Sequence, residues 1–153
     1  MTARGRLTKG NRLDNFILPD TAGRMVTLRD INSNYILLDF WFSRCGPCLK
    51  SFPHLQELYS KNQRRQLEVI AISVDQADEK QLWKATIQKY NLGWLNLIDH
   101  AASLAAKLAV VNYPTKILID RNKKIVMVDT DNSHENFYIE VEKLIKNEKF
   151  DTP

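Results

Sequence analysis

The feature that most constrains this chain is a long apolar run that leads, within a few residues, into a cysteine pair and an amphipathic segment. The run Tyr35–Trp41 is interrupted only by Asp39, and its length and composition predict a strand buried on both faces of a sheet. From Cys48 to about residue 63, apolar residues recur at intervals of three and four, which predicts a helix with one buried face. A buried strand followed by an amphipathic helix indicates an α/β sheet protein.

Strand-like and helix-like spacing of apolar residues alternates along the rest of the chain. The expected further strands are 25–28, 67–74, 94–98, 116–120 and 124–128. The expected further helices are 78–90, 101–108 and 133–147, the last with Ser133 as its N-cap. Because the last two strands flank a short turn, they predict an antiparallel hairpin. The whole order predicts a mixed β-sheet flanked by helices on both faces.

Length and composition predict one globular domain. The chain has 153 residues, of which 44% are hydrophobic and 26% charged, an ordinary balance for a globular protein. We expect the domain at residues 11–148, with a flexible N-terminal tail at 1–10 and a C-terminal tail at 149–153. The net charge of +4 comes from scattered Lys and Arg. Because the basic residues near the N-terminus have no interleaved aromatics, we expect no nucleic-acid partner.

The two cysteines of the chain, Cys45 and Cys48, form a single closely spaced pair. A structural disulfide framework uses more cysteines, spread to close long loops, so this pair indicates redox chemistry. At the start of a helix, Cys45 faces unpaired backbone N–H groups and the positive end of the helix dipole, both of which favour the thiolate. Arg44 adds a neighbouring positive charge. We expect Cys45 to attack a partner's disulfide and the more buried Cys48 to resolve the mixed disulfide.

The two residues between the cysteines shape the site. Gly46 adds no bulk beside the attacking sulfur and leaves Cys45 accessible to a large partner. Pro47 falls in the first helical turn, where its missing N–H is not needed and its fixed φ suits the helix. The alternative use of such a pair is a zinc site, which needs two further ligands. The three histidines are far apart and lack ligand spacing, so we expect no metal, and no cofactor other than the redox-active disulfide.

The segment 39–53, with the sequence DFWFSRCGPCLKSFP, resembles the active-site segment of thioredoxins. It resembles more closely that of the TlpA/ResA-type thioredoxin-like proteins of bacterial cell envelopes, and the resemblance covers about residues 10–147. It implies a thioredoxin fold with an N-terminal extension of short strands and a helix–strand insertion at about 78–98. It also implies a thiol–disulfide oxidoreductase, as a reductase or interchange enzyme, that acts on protein disulfides.

The resemblance assigns roles beyond the cysteine pair. Asp39 would be a buried, unpaired carboxyl with a raised pKa that acts as a base towards Cys48. Pro114 would be a cis-proline opposite the cysteines. The backbone of Tyr113 would pair with the substrate chain as an added strand. Trp41 would pack beneath the active site.

Two residues depart from the family pattern. Arg44 stands where the family usually has an aromatic residue, and it makes the rim of the site cationic. Ser51 stands where this group often has a glutamate that tunes the cysteine pair. The Gly-Pro dipeptide, by contrast, resembles that of the reducing thioredoxins. It implies a reduction potential nearer about −270 mV than about −120 mV.

The resemblance implies protein dithiol or disulfide substrates, an upstream thiol electron donor and a monomer in the bacterial periplasm or cell envelope. No apolar run reaches the ~18 residues of a membrane-spanning helix, and the N-terminus lacks the apolar stretch of a signal peptide. We therefore expect the domain of an exported protein or, alternatively, a cytoplasmic protein. Two other functions remain open: a non-catalytic binding module, and a peroxiredoxin, although its Pro-x-x-x-Thr-x-x-Cys motif is absent from the sequence.

Overall fold

The structure is a computed structural model that describes residues 7–151, with side chains for residues 7–148. Its strands are β1 (Ile17–Pro19), β2 (Met25–Thr27), β3 (Tyr35–Trp41), β4 (Leu67–Ser73), β5 (Leu95–Ile98), β6 (Thr115–Asp120) and β7 (Ile125–Thr130). Its α-helices are α1 (Gly46–Lys61), α2 (Lys80–Lys89), α3 (Ser103–Lys107) and α4 (Phe137–Asp151). The order confirms the expected alternation of strands and helices.

A five-stranded mixed sheet in the order β5-β4-β3-β6-β7 forms the centre of the molecule. Strands β3, β4 and β5 are parallel, and β6 and β7 are antiparallel to their neighbours. The apolar run of β3 occupies the central position, and six of its seven residues are buried, as its composition predicts. Strand β5 and helix α2 together form the expected helix–strand insertion.

Each face of the sheet carries its own apolar cluster. On one face, Phe52 of α1, Trp83 of α2 and Phe137 of α4 are buried against the sheet. On the other face, Leu28 of the N-terminal segment and Ala105 of α3 are buried. The sheet is therefore covered on both sides, as the sequence predicts, and the architecture is a thioredoxin fold in the α/β class.

The N-terminal segment crosses the second face and contacts both outer strands. The Gly10 N–H donates to the Ile125 carbonyl in β7, at 2.8 Å. At the opposite side, Asp20 forms an isolated bridge with Leu97 of β5. Residues 7–10 of the expected tail thus contact the domain, while residues 1–6 lie outside the described part. At the other end, α4 continues past residue 148 to Asp151, and residues 152–153 also lie outside.

The expected start of the last helix is wrong. Helix α4 begins at Phe137, and Ser133 is not its N-cap. Asp131 and Asn132 both have positive φ, which turns the chain away from helical geometry just before Ser133. The Ser133 hydroxyl donates to the Thr130 carbonyl at 2.7 Å, so it stabilises the turn that ends β7.

Candidate active site

Cys45 and Cys48 lie at the junction between β3 and α1 and form a disulfide with a Cα–Cα distance of 5.3 Å. Cys45 is the N-cap of α1, and its sulfur accepts the Cys48 N–H at 3.2 Å. The exposed fraction is 5% for Cys45 and 0% for Cys48. The first turn of α1 contains no acidic residue. The geometry agrees with the expected asymmetry, in which Cys45 is the more accessible sulfur.

Gly46 and Pro47 are both exposed in the first turn of α1. A Cβ built on Gly46 meets no heavy atom within 4 Å, so the space beside Cys45 is open. The Asn132 amide donates to the Pro47 carbonyl at 3.2 Å, and the Asp131 N–H donates to the Pro114 carbonyl at 2.7 Å. The loop after β7 therefore holds the two prolines of the site next to each other.

The Tyr113–Pro114 peptide bond is cis. The Tyr113 ring is half-buried and contacts the Phe42 ring edge-on, with 5.5 Å between the centroids. Burial raises the pKa of the Tyr113 hydroxyl, with a smaller contribution from Asp99. Phe42 precedes the cysteine loop directly, so the Tyr113 segment lies beside that loop.

Asp75 holds the loop that carries Cys45. It is 3% exposed, and its carboxylate accepts the Ser43 N–H at 3.0 Å and the Ser43 hydroxyl at 2.7 Å. It also accepts the Ser73 hydroxyl at 2.6 Å. No role for Asp75 follows from the cysteine motif. Its position just after a buried parallel strand is the signal that could have indicated it, because neighbouring parallel strands end at the same edge of a sheet.

Arg44 points outward and forms an ion pair with Glu79, with 3.2 Å between Nε and Oε2. Its side chain is 70% exposed. The cationic rim expected from the sequence is therefore partly neutralised by a neighbouring carboxylate.

Trp41 lies in the interior near the cysteines. It is fully buried and belongs to the same apolar cluster as Cys45 and Cys48. Its ring contacts Phe52 edge-on, with 5.2 Å between the centroids. Trp41 thus links the end of β3 to the helix that follows the cysteines.

Asp39 is fully buried, but the expectation that it is unpaired is wrong. The ammonium of Lys116, also fully buried, lies 3.5 Å from its Oδ1. Beyond this ion pair, the Asp39 oxygens have no hydrogen-bond partner among the described residues. Burial raises the pKa of Asp39, and the positive charge of Lys116 partly opposes that rise. Sequence reasoning missed Lys116.

Within residues 7–151, no group of three or more His, Cys, Asp or Glu side chains is placed to hold a metal ion. In the same range, no helix has the length and apolar character needed to cross a membrane.

A thioredoxin fold with a redox-active disulfide at a helix N-terminus, beside a cis-proline, defines the class of thioredoxin-like thiol–disulfide oxidoreductases. Residues 10–128 match the model of the AhpC/TSA family, and the chain belongs to this family.

Curated relatives and solved structures agree with this class. The thiol-disulfide oxidoreductase ResA of Bacillus thuringiensis subsp. konkukian is 30% identical over 125 residues, which are 82% of this chain and 71% of that protein. ResA of Halalkalibacterium halodurans is 31% identical over 140 residues, covering 91% of this chain and 78% of that protein. The thioredoxin domain of a thiol-disulfide oxidoreductase from Bacteroides vulgatus superposes with a TM-score of 0.79 at 27% identity, covering 91% of this chain and 99% of that one. The protein is a thiol–disulfide oxidoreductase.

Proposed function

We propose that this protein reduces or exchanges disulfides of partner proteins through a mixed disulfide on Cys45 that Cys48 resolves. The observation that carries the proposal is the place of Cys45 as N-cap of α1, with its sulfur 3.2 Å from the Cys48 nitrogen. In the reduced protein, the same N–H group and the helix dipole stabilise a thiolate at this position.

The electrons and protons balance over two exchange steps. The Cys45 thiolate attacks one sulfur of the partner's disulfide, and the partner's other sulfur leaves as a thiolate. Cys48 then loses its proton and attacks the Cys45 sulfur, so that the Cys45–Cys48 disulfide forms and the second partner thiolate leaves. The partner gains two electrons and leaves as two thiolates, and the cysteine pair loses two electrons and the one proton of Cys48. An upstream dithiol donor returns the pair to the reduced form.

The partner chain docks, in this proposal, along the backbone before Pro114. The cis bond, the half-buried Tyr113 ring and the adjacent Phe42 ring support this placement. An extended partner segment would hydrogen-bond to the Tyr113 backbone as an added strand. Asp39 is the proposed base for Cys48, because it is buried and its carboxylate has no described partner beyond the ion pair with Lys116.

Substitution of the two cysteines tests the function. With insulin as substrate and dithiothreitol as donor, Cys45→Ser is expected to lower reduction to the uncatalysed rate, and Cys48→Ser to accumulate a mixed disulfide on Cys45. Ser60→Ala, on the exposed side of the same helix, is the matched control and keeps full activity. Full activity in Cys45→Ser would refute the proposal, and peroxide turnover by the reduced protein would favour a peroxiredoxin instead.

We expect the protein to act as a reductant, with a potential nearer about −270 mV than about −120 mV. The Gly-Pro dipeptide between the cysteines supports this direction. Equilibration in glutathione buffers, followed by quantification of the two redox forms, measures the potential. A value near the oxidising end would reverse the direction of electron flow.

We also propose that the protein is a monomer in the bacterial periplasm or cell envelope. The support is its similarity to the TlpA/ResA-type proteins. Light scattering on the purified protein, with an expected mass of 17.8 kDa, tests the first statement. Labelling of Cys45 in intact bacterial cells by a membrane-impermeant thiol reagent, after mild reduction, tests the second, and labelling only after lysis would place the protein in the cytoplasm.

A further inference from the structure

We propose that Lys116 is a positioning residue for the redox reaction: paired with Asp39 and bonded to Ser51, it keeps the Asp39 carboxylate available to take the proton of Cys48. The inference rests on the proposed function, because it concerns the step in which Cys48 resolves the mixed disulfide.

Three charged side chains lie at one level across three adjacent strands. In the strand register, Asp39 of β3 is the partner of Lys116 of β6, and Lys116 is the partner of Asp129 of β7. Residues directly opposite each other on neighbouring strands share a face of the sheet. All three are buried, with exposed fractions of 0%, 0% and 3%. A lysine is rarely fully buried unless it is paired. The pairing of Lys116 with Asp39 is therefore what allows its charge to lie in the interior.

A chain of contacts connects this row to the resolving cysteine. The Lys116 ammonium donates to the Ser51 hydroxyl at 3.0 Å. The Ser51 hydroxyl donates in turn to the Cys48 carbonyl at 2.8 Å. Ser51 lies one turn after Cys48 in α1. Its hydroxyl therefore connects the Lys116 ammonium to the turn of the helix that carries Cys48.

The charges around Asp39 explain what Lys116 does. Burial favours the protonated, uncharged form of a carboxyl group, and the negative charge of Asp129 acts in the same direction. Lys116 is the one group among the named neighbours that favours the carboxylate. The charged and titratable groups that act on this carboxyl are Lys116 of β6, Asp129 of β7 and Tyr138 of α4, and Ser51 of α1 contacts the Lys116 ammonium.

The step that depends on Lys116 is a proton transfer followed by a disulfide exchange. The Cys48 thiol gives its proton to the Asp39 carboxylate, and the thiolate attacks the Cys45 sulfur of the mixed disulfide. The Cys45–Cys48 bond forms, the bond from Cys45 to the partner breaks, and the partner leaves as a thiolate. The pair with Lys116 therefore sets the pH below which Asp39 is already protonated and the step slows.

Reaction of the reduced protein with one equivalent of dithionitrobenzoate separates this step from the first attack. The first coloured thiolate is released when Cys45 attacks, and the second when Cys48 resolves the mixed disulfide. Rapid mixing across a range of pH therefore gives two rate profiles from one protein. Cys48→Ser, which releases one thiolate only, identifies the second phase.

The rate of the second phase falls at low pH, where Asp39 is protonated, and this fall is its acid limb. Lys116→Met is expected to move the acid limb to higher pH by about one to three units, the usual effect of an opposite charge at this distance. The first phase is expected to keep its profile. In an Asp39→Asn background the limb is absent, and Lys116→Met is expected to change nothing further in the pH dependence.

Ser51→Ala is the milder variant, and it is expected to give a smaller shift in the same direction. Ser60→Ala is its matched control, because the Ser60 hydroxyl makes the same kind of bond, to the Glu57 carbonyl at 2.9 Å, on the exposed side of α1. Near-ultraviolet circular dichroism establishes that each variant is folded. If Lys116→Met does not fold, the comparison of the two serine variants decides.

An unmoved second-phase limb in Ser51→Ala or in folded Lys116→Met overturns the proposal. So does a loss in Lys116→Met that is equal at every pH and persists in the Asp39→Asn background, because that pattern belongs to a structural role. A missing first phase in the unsubstituted protein, by contrast, would refute the proposed function itself.

Discussion

Asp75 shows how a residue outside the cysteine motif fixes the reactive loop. One buried carboxylate accepts three donors, two from Ser43 and one from Ser73. Ser43 lies two positions before Cys45. These bonds therefore fix the backbone that places Cys45 at the N-cap of α1. The same bonds satisfy backbone and hydroxyl groups that have no access to water.

Asp75→Ala is expected to lower the free energy of unfolding by about 2–4 kcal/mol, since several buried donors lose their acceptor. Urea denaturation followed by circular dichroism measures the loss. The control is Asp78→Ala, a neighbouring exposed carboxylate, for which we expect a change within about 0.5 kcal/mol. Equal effects of the two substitutions would contradict this role.

The buried pair of Asp39 and Lys116 is also expected to make the free energy of unfolding depend on pH. Burial raises the pKa of Asp39 above that of the unfolded chain, so the folded protein binds this proton more tightly. The resulting stabilisation is fully present below the unfolded pKa and is lost as pH rises through the folded pKa. The oxidised protein should therefore lose stability relative to oxidised Asp39→Asn/Lys116→Met as pH rises from about 4, by about 1.4 kcal/mol for each unit of pKa difference.

Urea titrations of both oxidised proteins at several pH values measure this difference. Keeping the disulfide intact removes the cysteines from the titration. A stability difference that stays constant with pH would show that Asp39 has the same pKa in the folded and unfolded states. The double variant avoids a buried lysine without its partner, which is strongly destabilising.

At the scale of secondary-structure elements, two glycines illustrate how local backbone geometry is set. Gly46 opens α1 with an ordinary negative φ and free space around its Cα. Gly23 closes the β1–β2 turn with a φ of +82°, a conformation that other residues rarely adopt. The same substitution should therefore have opposite effects at the two sites.

Gly46→Ala is expected to stabilise the protein by about 0.4–1 kcal/mol, because alanine restricts the unfolded chain at no cost in the folded one. Gly23→Ala is expected to destabilise it by about 1 kcal/mol or more. Urea midpoints of the two variants, compared with the unsubstituted protein, test the pair. A loss of stability in Gly46→Ala would mean that the site cannot accept a methyl group.

Elements were predictable from the sequence where one pattern dominated. The run of β3 could be predicted to the residue, because it is apolar except for Asp39 and shows no helical spacing of its apolar residues. The start of α4 could not be predicted, because Ser133 is a good N-cap by type. The two positive-φ residues before it, Asp131 and Asn132, give no comparable pattern. Turn geometry of this kind depends on contacts, such as that from Asn132 to Pro47, that join distant parts of the chain.

On the scale of the whole molecule, most residues of the site were predictable from the sequence, but the buried lysine beside Asp39 was not. The cysteine pair follows from a local motif, and the roles of Asp39 and Pro114 follow from the family resemblance. Lys116 does not, because a lysine in a strand is expected at the surface, and only the β3–β6 register brings it beside Asp39. Its position two residues before Leu118, on the face of β6 that packs against the cysteine cluster, was the available signal.

The two apolar clusters share the same sheet, so we expect them to unfold together. Trp41, Trp83 and Trp94 all lie in the cluster that contains the cysteines, while far-ultraviolet circular dichroism reports on the whole fold. Urea transitions followed by tryptophan fluorescence and by circular dichroism should coincide. Fluorescence changes at lower urea would instead show that the face with the active site opens first.

The N-terminal segment that contacts β7 through Gly10 and β5 through Asp20 has a consequence for self-association. An open sheet presents unpaired backbone groups along its two outer strands, and such strands are templates for pairing with other chains. Here Gly10 and Asp20 of the N-terminal segment occupy part of both. The borders of the sheet are thus kept from recruiting neighbouring chains into aggregates.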